Sequence, residues 1–299
     1  MFQFLKFSKI FSYLNEWAKL TRIEHAFFSI FGVLVGILIA LKEGFNFSDY
    51  LLAFFVPFFI NLGSFILNDY FDIAADKLNN RLDRPLVSGK INKKVALFVA
   101  ILFFLIGLLA AYLLGWEPFL IALIFSILAI AYNYKLKEIA FFGNLIIALS
   151  MAIAFIFGYI VARHSFNFPN YVLILFFGAL FIGLARELIK TIQDIKGDKL
   201  ARGAKTLPIL IGKKPSAYLA AFFFILFCFC VLLLISLTFN QNIFNWNYFS
   251  LGLIYLSLAI SLILIIKTIK LEDLEDIRKN SLLLIGFLLA ALIIALVVV

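Results

Sequence analysis

Hydrophobic and polar positions alternate along this chain in long blocks, with apolar runs separated by short polar segments. Nine runs approach the about 17–25 residues needed to cross a ~30 Å hydrocarbon core. They are Ala26–Leu41, Tyr50–Leu67, Val95–Leu114, Pro118–Tyr134, Ile139–Ala162, Tyr171–Ala185, Ala217–Phe239, Tyr248–Ile266 and Ser281–Val299. The first and sixth are short, which predicts helices that continue amphipathically into the polar residues beside them. Spans and short connections use nearly the whole chain, so the pattern predicts one all-α integral membrane domain over 1–299 with no soluble appendage. Ahead of the first run, Phe7, Ile10, Phe11, Leu14 and Trp17 recur at helical spacing, interrupted by Lys6, Lys9, Asn15 and Glu16. That predicts an interfacial helix within residues 1–25 rather than a cleaved signal.

Composition agrees: 65% of residues are hydrophobic and 14% charged, with mean hydropathy +1.09, far from the balance of a soluble domain. The net charge of +9 raises the question of nucleic acid, and its distribution answers it. Every Lys and Arg except Lys42 and Arg163 falls before the first span or on the connections that lie on that same side. This positive-inside pattern predicts a cytoplasmic N-terminus and an outer C-terminus, and it accounts for the basicity with no nucleic-acid partner. Cys228 and Cys230, two residues apart in FCFC, point in different directions on a helix and read as packing residues.

The chemistry lies in the acids. Directly after the second apolar run, NDYFDIAADKLNNRLDRP places Asp69, Asp72 and Asp76 at i, i+3 and i+7, within about a 60° arc of one helical face. Downstream, ARELIKTIQDIKGDKLARGAKTLP carries Asp194 and Asp198 at i, i+4, joined on the expected helix by Glu187 and Lys190. Both stretches, within segments 68–94 and 186–214, lie at the predicted cytoplasmic ends of the second and sixth spans. In each, acids precede basic residues, then a proline and a glycine, which suggests a parallel duplication of spans 1–4 in spans 5–8. Facing carboxylates repel, and near lipid the cost grows. A divalent cation resolves this: Mg2+ takes carboxylate oxygens, keeps some water and completes its shell with substrate phosphate. Arg81, Arg84, Lys90, Lys190, Lys199, Arg202 and Lys205 are placed to bind the remaining phosphate oxygens. The pattern therefore reads as a Mg2+-diphosphate site at a membrane surface; the competing reading is a set of ion pairs in solvated loops.

NDYFDIAADKLNNRLDRPLVSGKI resembles the first signature of the UbiA superfamily of intramembrane prenyltransferases, NDxxDxxxD with an RxxRPxxSG tail. RELIKTIQDIKGDKLARGAKTLPILIG resembles the second, DxxxD with a GxxTLP tail. The order of the motifs and the nine spans match too, so the resemblance covers the whole chain. It implies a ring of helices around a central cavity open to lipid, with a prenyl diphosphate held by two Mg2+ between Asn68, Asp69, Asp72 and Asp76 on one side and Asp194 and Asp198 on the other. The diphosphate ionises, and a lipid-soluble acceptor captures the allylic cation. Arg22 in LTRIEH, and Tyr132 and Lys137 in YNYKLK, match further family positions. Arg22 and Lys137 are expected on the diphosphate or an acceptor phosphate, and Tyr132 beside an aspartate or the cation. The competing readings are an interfacial aromatic belt for Tyr132 and Tyr134 and a plain positive-inside charge for Lys137. Lys190 is a further catalytic candidate, and Asp72 or Asp76 is the candidate proton acceptor. Asn144 resembles a recurrent family asparagine that supports the site. His25 is a weak candidate, and His164, on the opposite side, is not one.

The GDKLARGAKTLP tail most resembles the branch that alkylates the hydroxyl of geranylgeranylglyceryl phosphate with geranylgeranyl diphosphate, making the second ether bond of archaeal lipids. Thr191, Gln193 and Lys196 stand where that branch has acids. The DxxxD core survives, and the swaps leave a more cationic site, suited to an acceptor that carries a phosphate. An aromatic acceptor is the alternative within the family. A secondary transporter is the remote one, since transporter sites lie near the midplane in inverted repeats.

Overall fold

The computed structural model describes residues 2–40, 46–78, 80–239 and 243–297, and among these the predicted spans are helical except at 139–141 and Phe239. Lys42 and the side chains of Lys6, Phe7, Lys9, Ile10, His25 and Arg202 lie outside the described residues. The helices are α1 (Phe2–Thr21), α2 (Ile23–Ala40), α3 (Phe47–Leu78), α4 (Lys93–Leu114), α5 (Trp116–Tyr134), α6 (Phe142–Arg163), α7 (Asn170–Gln193), α8 (Ile195–Arg202), α9 (Leu207–Ile211), α10 (Lys213–Thr238), α11 (Tyr248–Lys270) and α12 (Leu274–Val297). A 3-10 turn at Leu136–Glu138 joins α5 to α6. Among the described residues eight of these helices are each long and apolar enough to cross a membrane, or nine if Phe11–Thr21 of α1 and Ala26–Ala40 of α2, bent by 58°, form one broken span. The bend occurs at Arg22, whose φ of 46° lies in the left-handed region.

Helix packing sets the ring. Against α6 stand α2 and α7; α10 packs on α7, α12 on α11 and α2, and α4 on α3. Backbones come closest where α2 meets α6. A Cβ added at Gly36 would meet the Phe155 carbonyl oxygen, and one at Gly158 the Val33 carbonyl oxygen. Small residues serve here because lipid offers helices no hydrophobic gain on pairing, so close contact must supply it. Gly158→Ala is accordingly expected to cost ~1–3 kcal/mol through overpacking, read as a lower melting temperature in detergent. An unchanged melting temperature would contradict the close approach.

A smaller apolar cluster places the functional end. Leu20 of α1, Ile66 and Leu67 of α3, and Ala96, Ala100 and Phe104 of α4 enclose Leu86 and Ile91 from the α3–α4 connection. Two buried anchors make that connection a fixed structure. Its turns are closed by Ser88 N–H donating to the Arg84 carbonyl (2.9 Å) and Ile91 N–H to the Pro85 carbonyl (3.2 Å). Asn92 then caps α4, its side-chain oxygen accepting from Lys94 N–H at 2.8 Å.

Among α2, α6, α7, α10 and α12 lies an apolar cavity of about 80 Å3, lined by residues including Phe28, Gly32, Met151, Gly178, Phe227 and Ile285.

Candidate active site

Helix α3 has 32 residues, so at 1.5 Å per residue it runs ~48 Å, well past a ~30 Å core. It does not stop where its apolar run ends at Leu67; its last turns carry Asn68, Asp69, Asp72 and Asp76. These carboxylates face protein: Asp69, Asp72 and Asp76 are 3%, 6% and 2% exposed. Solvated loop pairs are thereby excluded for them, and burial at that depth demands partners.

The partners are cations from three directions. At the α1–α2 bend, Arg22 Nη2 donates to Asp69 Oδ1 at 2.8 Å, its guanidinium 5.2 Å from the centre of the Phe65 ring. From the anchored α3–α4 connection, Arg84 Nη1 bridges Asp69 Oδ1 (2.7 Å) and Asp76 Oδ2 (2.8 Å). After α5, Lys137 Nζ pairs with Asp72 Oδ1, both side chains buried. Lys137 is therefore no plain surface charge. Tyr132 and Tyr134 divide in the same way: Tyr132 is 8% exposed, whereas Tyr134 is 72% exposed, so only Tyr134 suits an aromatic belt.

The second acidic segment differs from the single helix predicted for it. Helix α7 ends at Gln193, Asp194 caps it with φ −90° and ψ 5°, and α8 begins at Ile195. Asp198 N–H still donates to the Asp194 carbonyl at 2.9 Å, so the two acids remain one turn apart. Glu187 and Lys190 belong to α7, with Lys190 Nζ 3.4 Å from Glu187 Oε2 and in electrostatic reach of Tyr132, Asp194 and Arg22. The two acidic segments meet through Arg81, which stands 3.7 Å from Asp76 and 3.3 Å from Asp194.

Of the residues singled out in the sequence, Arg22, Asp69, Asp72, Asp76, Arg81, Arg84, Tyr132, Lys137, Lys190 and Asp194 gather at this end of the fold. Asp198 sits in the first turn of α8. Lys199 is exposed on α8. Lys205 is exposed as well, and its main-chain N–H donates to the Glu138 carbonyl at 3.0 Å in a strand-like pairing with Ile139. Lys90 is drawn away, to Glu16 at 2.9 Å. Asn144 Nδ2 donates to Thr191 Oγ1 at 3.3 Å, bracing α7 one turn before Asp194. Gln193 accepts from Arg278 at 2.7 Å. His164 pairs with Glu117 at the opposite end of the helices, 3.3 Å away.

One buried polar residue at this end escaped the sequence reading. Asn133, 1% exposed, accepts from Asn68 Nδ2 at 3.0 Å. Its only signal was an amide one residue from the end of an apolar run, between two tyrosines.

Among the described residues no three His, Cys, Asp or Glu side chains form a ready metal cage. Mg2+ does not require one, because it uses one or two carboxylates with water and substrate phosphate. The all-carboxylate set Asp69, Asp72, Asp76, Asp194 and Asp198 fits that hard ion in chemistry.

The UbiA prenyltransferase family matches residues 29–292. The chain belongs to the UbiA prenyltransferase family. Similar relatives include the digeranylgeranylglyceryl phosphate synthase of Archaeoglobus fulgidus, 38% identical over 213 residues that cover 71% of this chain and 72% of the relative. The protein of the same name from Methanobrevibacter smithii is 33% identical over 258 residues, covering 84% and 86%. A solved structure of digeranylgeranylglyceryl phosphate synthase in membranes superposes with TM-score 0.72 and 27% identity, covering 96% of this chain and all of that one. A UbiA homologue from Archaeoglobus fulgidus bound to GPP and Mg2+ shares the fold, with TM-score 0.68 and 19% identity over 93% of this chain and 99% of that one. Expectations of an all-helical UbiA fold and of a prenyltransferase are thus met.

Proposed function

We propose that this UbiA-family enzyme transfers the geranylgeranyl group of geranylgeranyl diphosphate to the free hydroxyl of geranylgeranylglyceryl phosphate, forming the second ether bond of an archaeal membrane lipid. The observation that carries the reading is the junction of two acidic segments through Arg81, with Arg22, Arg84, Lys137 and Lys190 around them. Relatives at 33–38% identity that bear the name digeranylgeranylglyceryl phosphate synthase support this acceptor.

Asp69, Asp72 and Asp76 on one side and Asp194 and Asp198 on the other are the proposed holders of two Mg2+. Bound Mg2+ neutralises charge that gathers on the departing diphosphate. Arg22, Arg81, Arg84, Lys137 and Lys190 bind diphosphate oxygens and hold the leaving group as the C1–O bond breaks, a stabilisation largest in the transition state. Asn68 belongs to the first acidic motif and stands beside its aspartates on α3. Tyr132 presents a ring beside Lys190 that steadies the allylic cation, while the apolar helices keep water from quenching it. Lys199, Arg202 and Lys205, in the segment that follows, suit the acceptor's phosphate. In the positive-inside orientation this site opens at the cytoplasmic side of the cell membrane.

The apolar cavity suits the far end of the prenyl chain. Its lining residue Ile182 precedes Lys190 by eight positions, ~12 Å along α7. At about 80 Å3 it is below the ~300–1,000 Å3 of a whole small-molecule pocket, so it takes part of the chain and leaves the rest between helices. Gly178 borders it, and a Cβ there would first meet Cys230 Cβ at 3.4 Å, an ordinary contact. Gly178→Leu is expected to lower kcat/KM for geranylgeranyl relative to geranyl diphosphate by ~10-fold; an unchanged ratio would place the chain elsewhere.

The test of the acceptor is turnover of labelled geranylgeranyl diphosphate in detergent, with geranylgeranylglyceryl phosphate or 4-hydroxybenzoate supplied. Ether product from the glyceryl phosphate alone is expected. Product from the aromatic acid alone would overturn the acceptor assignment and keep prenyl transfer.

A further inference from the structure

Asn133 is a buried amide whose orientation the surrounding backbone decides. Its Nδ2 donates to the Ala129 carbonyl at 2.9 Å and to the Ser64 carbonyl at 3.4 Å. Carbonyl oxygens only accept, so the nitrogen must face them and Oδ1 must face the other way. There it meets Asn68, 3.0 Å from Nδ2. An accepting oxygen requires a donor, so Asn68 has no choice of flip either: its nitrogen turns to Asn133 and its carbonyl oxygen turns away. Asn68 stands four residues before Asp72, about 40° from it around α3, on the acidic side of the helix.

We propose that Asn133 is a positioning residue that locks the Asn68 amide with its oxygen toward the acidic face, so that Asn68 supplies a neutral oxygen ligand beside Asp72. The inference rests on the reading of this face as a Mg2+ site. Without Asn133 the Asn68 amide rotates, and its NH2 group turned toward a cation repels it. The location of Asn133 explains why α5 carries the role. Four residues on, Lys137 pairs with Asp72, so one short stretch sets both the charge balance of the acidic face and its amide. A partner that fixes a ligand's orientation without touching the metal commonly contributes ~10–100-fold to metal affinity.

The experiment is Mn2+ binding by the full-length protein in detergent, followed by electron paramagnetic resonance in the presence of inorganic pyrophosphate. Asn133→Leu and Asn68→Ala are each expected to weaken Mn2+ binding by ~10–100-fold, and the double variant no further than either alone. In an Asn68→Asp background, which offers an oxygen on both sides, Asn133→Leu is expected to cause no further loss of affinity. Should Asn133→Leu not fold, Asn133→Ser serves the same comparisons. Wild-type affinity in an Asn133 variant, or losses that add in the double variant, would overturn the inference and leave the metal site standing. A wild type that binds no Mn2+ would overturn both.

Discussion

Arg84→Gln is expected to lower turnover by ~10²–10³-fold, the usual cost of removing one preorganised donor to developing negative charge. The same variant is expected to make the melting temperature respond to Mg2+ more strongly than in the wild type. Both follow from one side chain. The Arg84 guanidinium bridges Asp69 and Asp76 at 2.7 and 2.8 Å, so it occupies the carboxylate oxygens proposed to hold Mg2+. Mg2+ held on those carboxylates would displace the guanidinium, which would then be free to meet the diphosphate. Glutamine cannot neutralise the two carboxylates, which keep only Arg22 on Asp69 and the more distant Arg81 on Asp76, so Mg2+ would relieve more of their repulsion than in the wild type. Differential scanning fluorimetry with Mg2+ or EDTA measures the second effect. Equal Mg2+ responses in variant and wild type would show that Arg84 and the metal do not compete.

Lys137→Met is expected to destabilise the protein by ~3–5 kcal/mol, because it removes a cationic partner from a buried carboxylate. The side chains of Lys137 and Asp72 are 7% and 8% exposed, so water cannot make good the loss. The double variant Lys137→Met/Asp72→Leu removes the charge as well as its partner and is expected to recover part of the stability while remaining inactive. Chemical denaturation in detergent together with turnover separates the two effects. A stable, active Lys137→Met variant would return Lys137 to the status of a topology charge.

Much of this was legible in the sequence, for identifiable reasons. Span positions follow from hydropathy because lipid tolerates only helices with satisfied backbones. Helix ends follow from spacing and not from hydropathy. The apolar runs stop at Leu67 and Ala185, and α3 and α7 continue to Leu78 and Gln193, as the helical spacing of the acids and the shortness of the sixth run predict, because their polar residues face inward onto partners instead of leaving the helix. The acidic face of α3 was visible as spacing, but its cations were not. Arg22 and Asp69 are 47 positions apart, Lys137 and Asp72 65, and hydrophobic periodicity carries no information at that range. The family resemblance pointed to those cations, and the bend at Arg22 brings one of them into place. The break at Asp194 was hidden because Glu187, Lys190, Asp194 and Asp198 keep a helical rhythm across it. Asn133 was missed because its role comes from a second amide and two carbonyls on other turns.

The central claim is that the acids of α3 and of the α7–α8 turn form one diphosphate site. Its most direct test is calorimetric binding of geranylgeranyl thiodiphosphate, a poorly ionising analogue, with and without Mg2+, to the wild type, Asp72→Asn and Asp194→Asn. Mg2+-dependent binding is expected in the wild type, weakened ~10–100-fold in each variant. Wild-type affinity in Asp194→Asn would contradict it, leaving the second acidic segment outside the site.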